Sequence, residues 1–275
     1  MNKTFQSSSV PPVTNNRRAT TTGLRADSNR HPGARRARTL AIDVGGTGLK
    51  ASVLDARGRM IVDRVWVDTP YPCPPKVLIK ALVDLVKPLP AFDRVSVGFP
   101  GYVRDDKVIT APHFGDDIWR GFDLVKALKA KFGKPVRLLN DADMQGLAAI
   151  EGKGLELVVT LGTGVGTGLF RNGELMPHLE LAHHPVNKGK NYNEYIGKEA
   201  LKRLGKKKWN RRVQRVMKIL HALFHSDKTY IGGGNAGNIT FKLGAHVRLI
   251  SNQDGILGGF MLWEPTQKDE YDIKA

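Results

Sequence analysis

Leu40-Ala41-Ile42-Asp43-Val44-Gly45-Gly46-Thr47-Gly48-Leu49-Lys50-Ala51-Ser52-Val53-Leu54 decides the fold. An apolar run carries one acid, meets a glycine turn, and resumes as an imperfect alternation. Period-two alternation marks a strand, so the stretch reads as strand, tight hairpin, strand. Glycines admit positive φ and let backbone N–H groups approach an anion without Cβ interference. Thr47 can add a hydroxyl hydrogen bond to a phosphate. Asp43 suits magnesium held mainly through water. Lys50 faces either a cleft or solvent. A Walker A loop needs Gly directly before Lys, and here Leu49 intervenes. Gly46, Gly48 and Ala51 fit the loose dinucleotide fingerprint, but that motif requires a following helix. A purely structural hairpin is the remaining alternative.

The same device returns downstream. Leu157-Val158-Val159-Thr160 runs into Leu161-Gly162-Thr163-Gly164-Val165-Gly166-Thr167-Gly168. A third turn, Gly232-Gly233-Gly234-Asn235, follows the apolar Thr229-Tyr230-Ile231. Each turn alone is ambiguous; the three together point to phosphate binding. The repeat predicts two similar α/β lobes, 39–138 and 139–252, each presenting a glycine hairpin to a shared cleft. A C-terminal helix near 254–265 is expected to return to the first lobe.

Between these landmarks, Met60–Val62 and Val65–Val67 suggest a third strand. Val77, Leu78, Ala81, Leu82 and Leu85 space as one helical face after Pro74-Pro75. Val95–Phe99 reads as a strand stopping at Pro100-Gly101, where Gly101 is expected to shape a binding site. A helix is predicted near 123–132, a strand over Val136–Leu139, and a short helix near 143–150. Helices fill 193–225, and a last strand lies near 247–250.

Charge is concentrated. The net charge is +17, and residues 1–38 hold eight Lys/Arg against one acid, Asp27. Residues 202–218 hold nine Lys/Arg and no acid, so the rest of the chain is nearly balanced. Residues 1–38 lack the apolar side chains that offset ordering entropy and read as a disordered basic tail. Organelle targeting and an anion-binding arm are lesser readings. Trp209, Val213, Val216, Met217, Leu220, Leu223 and Phe224 share one helical face, with Lys208, Arg211, Arg212, Arg215 and Lys218 opposite. That face is either a solvated surface or a track for a polyanion. With Trp209 on the apolar side, base stacking is poorly served, so nucleic acid is disfavoured. One cysteine, Cys73, excludes an intramolecular disulfide and a multi-cysteine zinc site. No apolar run approaches a membrane span, and a cytoplasmic setting is expected.

Five segments, in order, resemble sugar kinases of the ROK type (repressors, open reading frames, kinases). They are Asp43–Lys50, Asn140-Asp141-Ala142-Asp143, Leu161–Gly166, Glu180-Leu181-Ala182-His183 and Ile231–Asn235. The polyphosphate glucokinase branch matches best, over roughly 39–262. The resemblance implies an α/β fold of the actin-like, ribonuclease H-like kind, two lobes around a cleft. It implies phosphoryl transfer from polyphosphate, ATP or both, with magnesium, to the 6-hydroxyl of glucose or a related hexose. Carried over by position, Asp141 is the general base and Asn140 a sugar ligand. Glu180 and His183 are further sugar ligands, and Glu194 aligns loosely with another. Gly45–Gly48 and Gly162–Gly166 bind donor phosphates; Gly232–Asn235 lies on the adenosine side. A homodimer is common among the proteins it resembles.

Ala182 stands where the family usually has Gly, followed by a second histidine, His184. Residues 184–200 contain no cysteine, so the zinc motif of many ROK proteins is missing, as in the polyphosphate branch. No helix-turn-helix segment is present, which argues against a repressor. Other readings are a non-catalytic sugar or polyanion sensor, and a kinase for mannose or an N-acetylhexosamine. His178, His183 and His184 admit a weak metal reading. Asp143, early in the following helix, suits an N-cap better than Asp141 does.

Overall fold

The computed structural model describes residues 37–251 and 254–264. The expected tail therefore lies outside the described residues, apart from Ala37 and Arg38. The chain opens with β1 (Thr39–Val44) and β2 (Gly48–Leu54), paired antiparallel around the first glycine turn. Next come β3 (Val65–Asp68), α1 (Pro75–Val86) and β4 (Arg94–Phe99). Met60 makes only an isolated bridge to Leu54, so the third strand is shorter than its sequence suggests.

A small sheet follows: β5 (Val103–Arg104), β6 (Lys107–Val108) and, after α2 (Asp116–Trp119), β7 (Phe122–Asp123). Then come α3 (Leu124–Phe132), β8 (Val136–Asn140) and α4 (Asp141–Ala149). The second half has β9 (Leu155–Leu161), β10 (Val165–Arg171) and β11 (Glu174–Leu175). The hairpin β12 (Pro185–Asn187) and β13 (Lys190–Asn191) leads to α5 (Tyr192–Ile196) and α6 (Lys198–Phe224). Last are β14 (Lys228–Gly232), β15 (Val247–Leu249) and α7 (Asp254–Met261).

The two large sheets share one plan. The first runs β3-β2-β1-β4-β8, the second β11-β10-β9-β14-β15. In each, the hairpin strands pair antiparallel and two further strands add in parallel beyond the hairpin's first strand. The inner strands β1, β4, β9 and β14 are buried nearly throughout, as strands covered on both faces are. Leu78, Leu82 and Leu85 of α1 and Leu124 and Leu128 of α3 join one core with Leu40, Ile42 and Val97. Trp209, Val213, Val216 and Leu220 of α6 join the other with Leu157, Val159 and Ile231.

Helix α4 contacts strands of both large sheets as well as α7. Buried on nearly all sides, Ala142–Gly146 show no amphipathic period. Helix α7 packs on β1, β2 and β4. Ser96 Oγ donates to the Gly259 carbonyl while accepting from Trp263 Nε1, and Arg137 stacks over the Trp263 ring at 4.3 Å. Among the described residues, no helix is long and apolar enough to cross a membrane.

Candidate active site

A cleft of about 340 Å³ is lined by the turns after β1, β9 and β14 and by the start of α4. Its first wall is the turn that closes β1 onto β2. Gly45 N donates to Gly48 O at 3.0 Å, closing the hairpin. Thr69 Oγ1 donates to the Gly45 carbonyl at 2.7 Å and the Tyr71 hydroxyl to the Gly46 carbonyl at 2.6 Å. In a trans peptide the N–H lies opposite the carbonyl. The 69–71 segment therefore turns the Gly46 and Thr47 N–H groups to the other side. Lys50 Nζ pairs with Asp43 Oδ2 at 3.1 Å, and both line the cleft, so Lys50 faces inward.

The opposite wall is the β9–β10 turn. Gly162 N donates to Gly164 O, and Asn235 Nδ2 donates to Gly162 O, both at 2.9 Å. The third turn is thereby tied to the second. Gly233 sits at φ +85°, and a Cβ there would strike the Leu161 backbone. Asn193 Oδ1 accepts from Val165 N at 2.7 Å. The two hairpins come close: a Cβ on Gly46 would lie 3.7 Å from Thr163 Oγ1 and 3.5 Å from the His113 ring.

Between the walls, β8 ends and α4 begins. Asn140, not Asp143, caps the helix; its Oδ1 accepts from Ala142 N at 2.8 Å and Asp143 N at 3.3 Å. Its Nδ2 donates to Gly101 O at 3.1 Å, which ties Gly101 to the helix start. The helix begins two residues earlier than its periodicity suggests, because the cap comes from the strand end. Asp141 is thus the first helical residue and faces the cleft. Burial, then the nearby Asp43 carboxylate, push its pKa from 3.8 up to about 7, although Ala142 N–H opposes the shift. A carboxylate poised near neutrality suits a proton acceptor.

Asp143, read from the sequence as a cap, points instead into the interior. Its Oδ2 lies 2.7 Å from His178 Nδ1. His178 Nε2 lies 3.5 Å from Glu180 Oε1, and Glu180 Oε2 lies 3.9 Å from His183 Nε2. Burial opposes charge on His178, but the two carboxylates outweigh it and hold the pKa at about 10. His113, on the same cleft, moves the other way. Burial first, and then His183, lower its pKa.

The cleft brings together Asp43, Gly45, Gly46, Thr47, Lys50, Gly101, Asn140 and Asp141 from the first half. Gly162, Thr163, Gly164, Gly166, Glu180, His183, Gly233, Gly234 and Asn235 join them from the second. Gly48 and Gly232 lie behind it. A Cβ on Gly48 would strike the Trp66 indole, and one on Gly232 would press on Gln145 and Ile250. Glu194 is not among the lining residues. It closes a capping box on α5, accepting from Asn191 N at 2.9 Å while its own N–H donates to Asn191 Oδ1. Asn-x-x-Glu is a helix-start signature, and that local signal explains its position. The sequence reading passed over His113, Asn193 and Lys198, and assigned His178 only to a metal. All four line the cleft. Among the described residues, no group of three or more His, Cys, Asp or Glu could hold a metal.

On α6 the basic face is exposed at Lys208, Arg211 and Arg215. Arg212 is half-buried, stacked over Tyr195 at 4.5 Å. Gly205 breaks the helix at φ 71°. Lys206, Lys207, Arg211, Gln214 and Thr240 line an open hollow of about 450 Å³. Leu223 departs from its expected place in the core and is 60% exposed, while Phe224 beside it packs on the core.

The sequence pattern of the ROK family matches residues 39–183. The chain is 32% identical over 250 residues to the polyphosphate glucokinase of Mycobacterium tuberculosis (strain ATCC 25618 / H37Rv), covering 84% of this chain and 89% of that protein. It is 39% identical over 144 residues to the N-acetylmannosamine kinase of Escherichia coli (strain SE11), about half of each chain. Among solved structures, the inorganic polyphosphate/ATP-glucomannokinase of Arthrobacter sp. strain KM superposes with a TM-score of 0.74 at 29% identity, covering 82% of this chain and 98% of that one. A Streptomyces griseus glucokinase in complex with glucose and AMPPNP gives a TM-score of 0.67 at 21% identity, covering 82% and 98%. The architecture is the two-lobed, actin-like α/β fold of these proteins.

Proposed function

Because this chain belongs to the ROK family and is a sugar kinase, we propose that it phosphorylates the 6-hydroxyl of glucose or a close hexose relative, drawing on polyphosphate, ATP or both. One observation carries the reading: two glycine hairpins approach each other across a cleft, with Asp141 at a helix start between them. Phosphoryl transfer has a loose transition state, so catalysis is mainly alignment and charge stabilisation. The Gly46 and Thr47 N–H groups, the Thr163 hydroxyl and Lys50 supply donors to the phosphates. Asp141 orients the sugar hydroxyl and accepts its proton late. Asn140, Glu180 and His183 present donors and acceptors to a neutral, hydroxylated ligand, which apolar contact could not discriminate.

Magnesium, when bound, would supply positive charge to offset that of the donor phosphates. One carboxylate beside a phosphate turn fits an ion that keeps several waters, and Asp43 would hold it through water. The exposed Lys208, Arg211 and Arg215, with Lys206 and Lys207, form the track for a polyphosphate chain. The single thiol, Cys73, is buried, and burial pushes it up to about 11, so it is inert. We assign the chain to the cytoplasm, and a homodimer belongs to the same proposal.

The likeness to an N-acetylmannosamine kinase over half the chain favours a second reading, an N-acetylhexosamine acceptor. A matrix of donors (ATP, polyphosphate) against hexoses (glucose, mannose, N-acetylmannosamine) decides between them. Turnover on glucose supports the proposal. Turnover confined to the amino sugar replaces the acceptor, and none on any hexose overturns the reading.

A further inference from the structure

We propose that His178 is a positioning residue: an imidazolium bridge between Asp143 and Glu180 that holds the Glu180 carboxylate for the hexose and so sets sugar affinity. The inference rests on the reading that Glu180 binds sugar hydroxyls. His178 and Asp143 are buried, their side chains 8% and 2% exposed. Nδ1 stands 2.7 Å from Asp143 Oδ2, a short, charge-assisted contact. The Tyr102 ring stacks on the imidazole at 5.5 Å between centroids and 22° between planes. The imidazole is thus held from its edge by Asp143 and from its face by Tyr102. Its other nitrogen, Nε2, lies 3.5 Å from Glu180 Oε1, within ion-pair range.

Glu180 needs such a hold. It stands at the entry to a three-residue 3-10 turn, Leu181–His183, rather than on a long helix or strand. A glutamate there has three rotatable bonds to order before it can accept a hydrogen bond, and ordering costs affinity. Glu180 Oε1 is buried and, among the described residues, has no hydrogen-bond partner. Attraction to a fixed imidazolium aims the carboxylate, and a hydroxyl donor from the ligand completes it. The bridge also spans the cleft's two elements. Asp143 lies two residues beyond Asp141 on α4, so the same helix aims the proton acceptor and, through His178, the sugar ligand.

The test is steady-state kinetics of the purified full-length chain, varying glucose and then ATP, on His178→Gln, Asp143→Asn, Glu180→Gln and the double variant His178→Gln/Glu180→Gln. Losing a charge-assisted contact predicts a glucose KM raised roughly 10- to 100-fold in His178→Gln, with kcat falling far less and the ATP KM unmoved. Asp143→Asn should act in the same direction, which guards against one variant failing to fold. In the Glu180→Gln background, His178→Gln should add less than about twofold, because groups acting as a unit are not additive. An unmoved glucose KM in the folded single variants, equal rises in both KM values, or fully multiplicative effects would overturn the bridge. If the unmodified chain turns over no hexose, the functional reading falls and takes this inference with it; turnover with an unmoved KM sinks the inference alone.

Discussion

Asp141→Asn should cripple the enzyme and stabilise the protein. In the fold, Asp141 keeps its proton up to about pH 7, held by burial and by Asp43; its ordinary value is 3.8. Between those values the native state binds more protons than the unfolded chain, so stability falls as pH rises through that window. Above it the full cost applies, on the order of 4 kcal/mol as an upper bound. Asparagine carries no charge yet keeps an oxygen to accept from Ala142 N, now at 2.9 Å. Relaxation around the charge returns only part of the cost, leaving a gain of ~1–2 kcal/mol, or roughly 3–6 °C in Tm, at about pH 8. At about pH 5 the gain should shrink by more than half, because the native carboxyl is then largely protonated. Loss of the proton acceptor should cost about 10²- to 10⁴-fold in turnover. Thermal melts at the two pH values and a coupled hexose 6-phosphate assay read both effects. Turnover within about tenfold of the unmodified enzyme, or a Tm gain independent of pH, would refute the reasoning.

With the unmodified enzyme, kcat/KM should rise with pH through an acidic limb near 7, the value held by Asp141; a limb near 4 would remove the poised carboxylate. Polyphosphate-driven turnover at sub-saturating donor should fall roughly 20-fold between about 50 and 200 mM salt if three or four basic side chains of α6 engage the chain. ATP-driven turnover should fall much less, and equal salt slopes would eliminate the track. Thr69→Val and Tyr71→Phe release the carbonyls of the first glycine turn, so each should raise donor KM about 3- to 10-fold while glucose KM holds. Gly258→Ala drives a methyl into the Met144 carbonyl where α7 crosses α4. Urea titration should show a loss of about 1–3 kcal/mol, and a neutral result would mean that α7 yields easily.

Both hairpins, the strands that feed them and the helices α1, α3 and α6 were legible in the sequence. Their signals, glycine placement and apolar period, act within a few residues of the chain. The same device at 40–54 and 157–170 pointed to two similar α/β lobes, while the matching order of strands in the two sheets was set by the fold. The short strands β5–β7 and β12–β13 were not legible. Strands of two or three residues have no period to read and exist only through their partners.

The candidate site divides the same way. Sequence alone determined which residues ride on the glycine turns and that Asp141 follows a buried strand. Only the tertiary structure decided that Asp143 turns inward to meet His178, 35 residues away. It also decided that Thr69 and Tyr71 hold the Gly45 and Gly46 carbonyls across 24 and 25 residues. Turn and strand propensities are paid for locally, by backbone freedom and by side chains two or four positions apart. A histidine's partner and a carboxyl's proton affinity depend on how two sheets and the helices between them exclude water, and no neighbour along the chain carries that information.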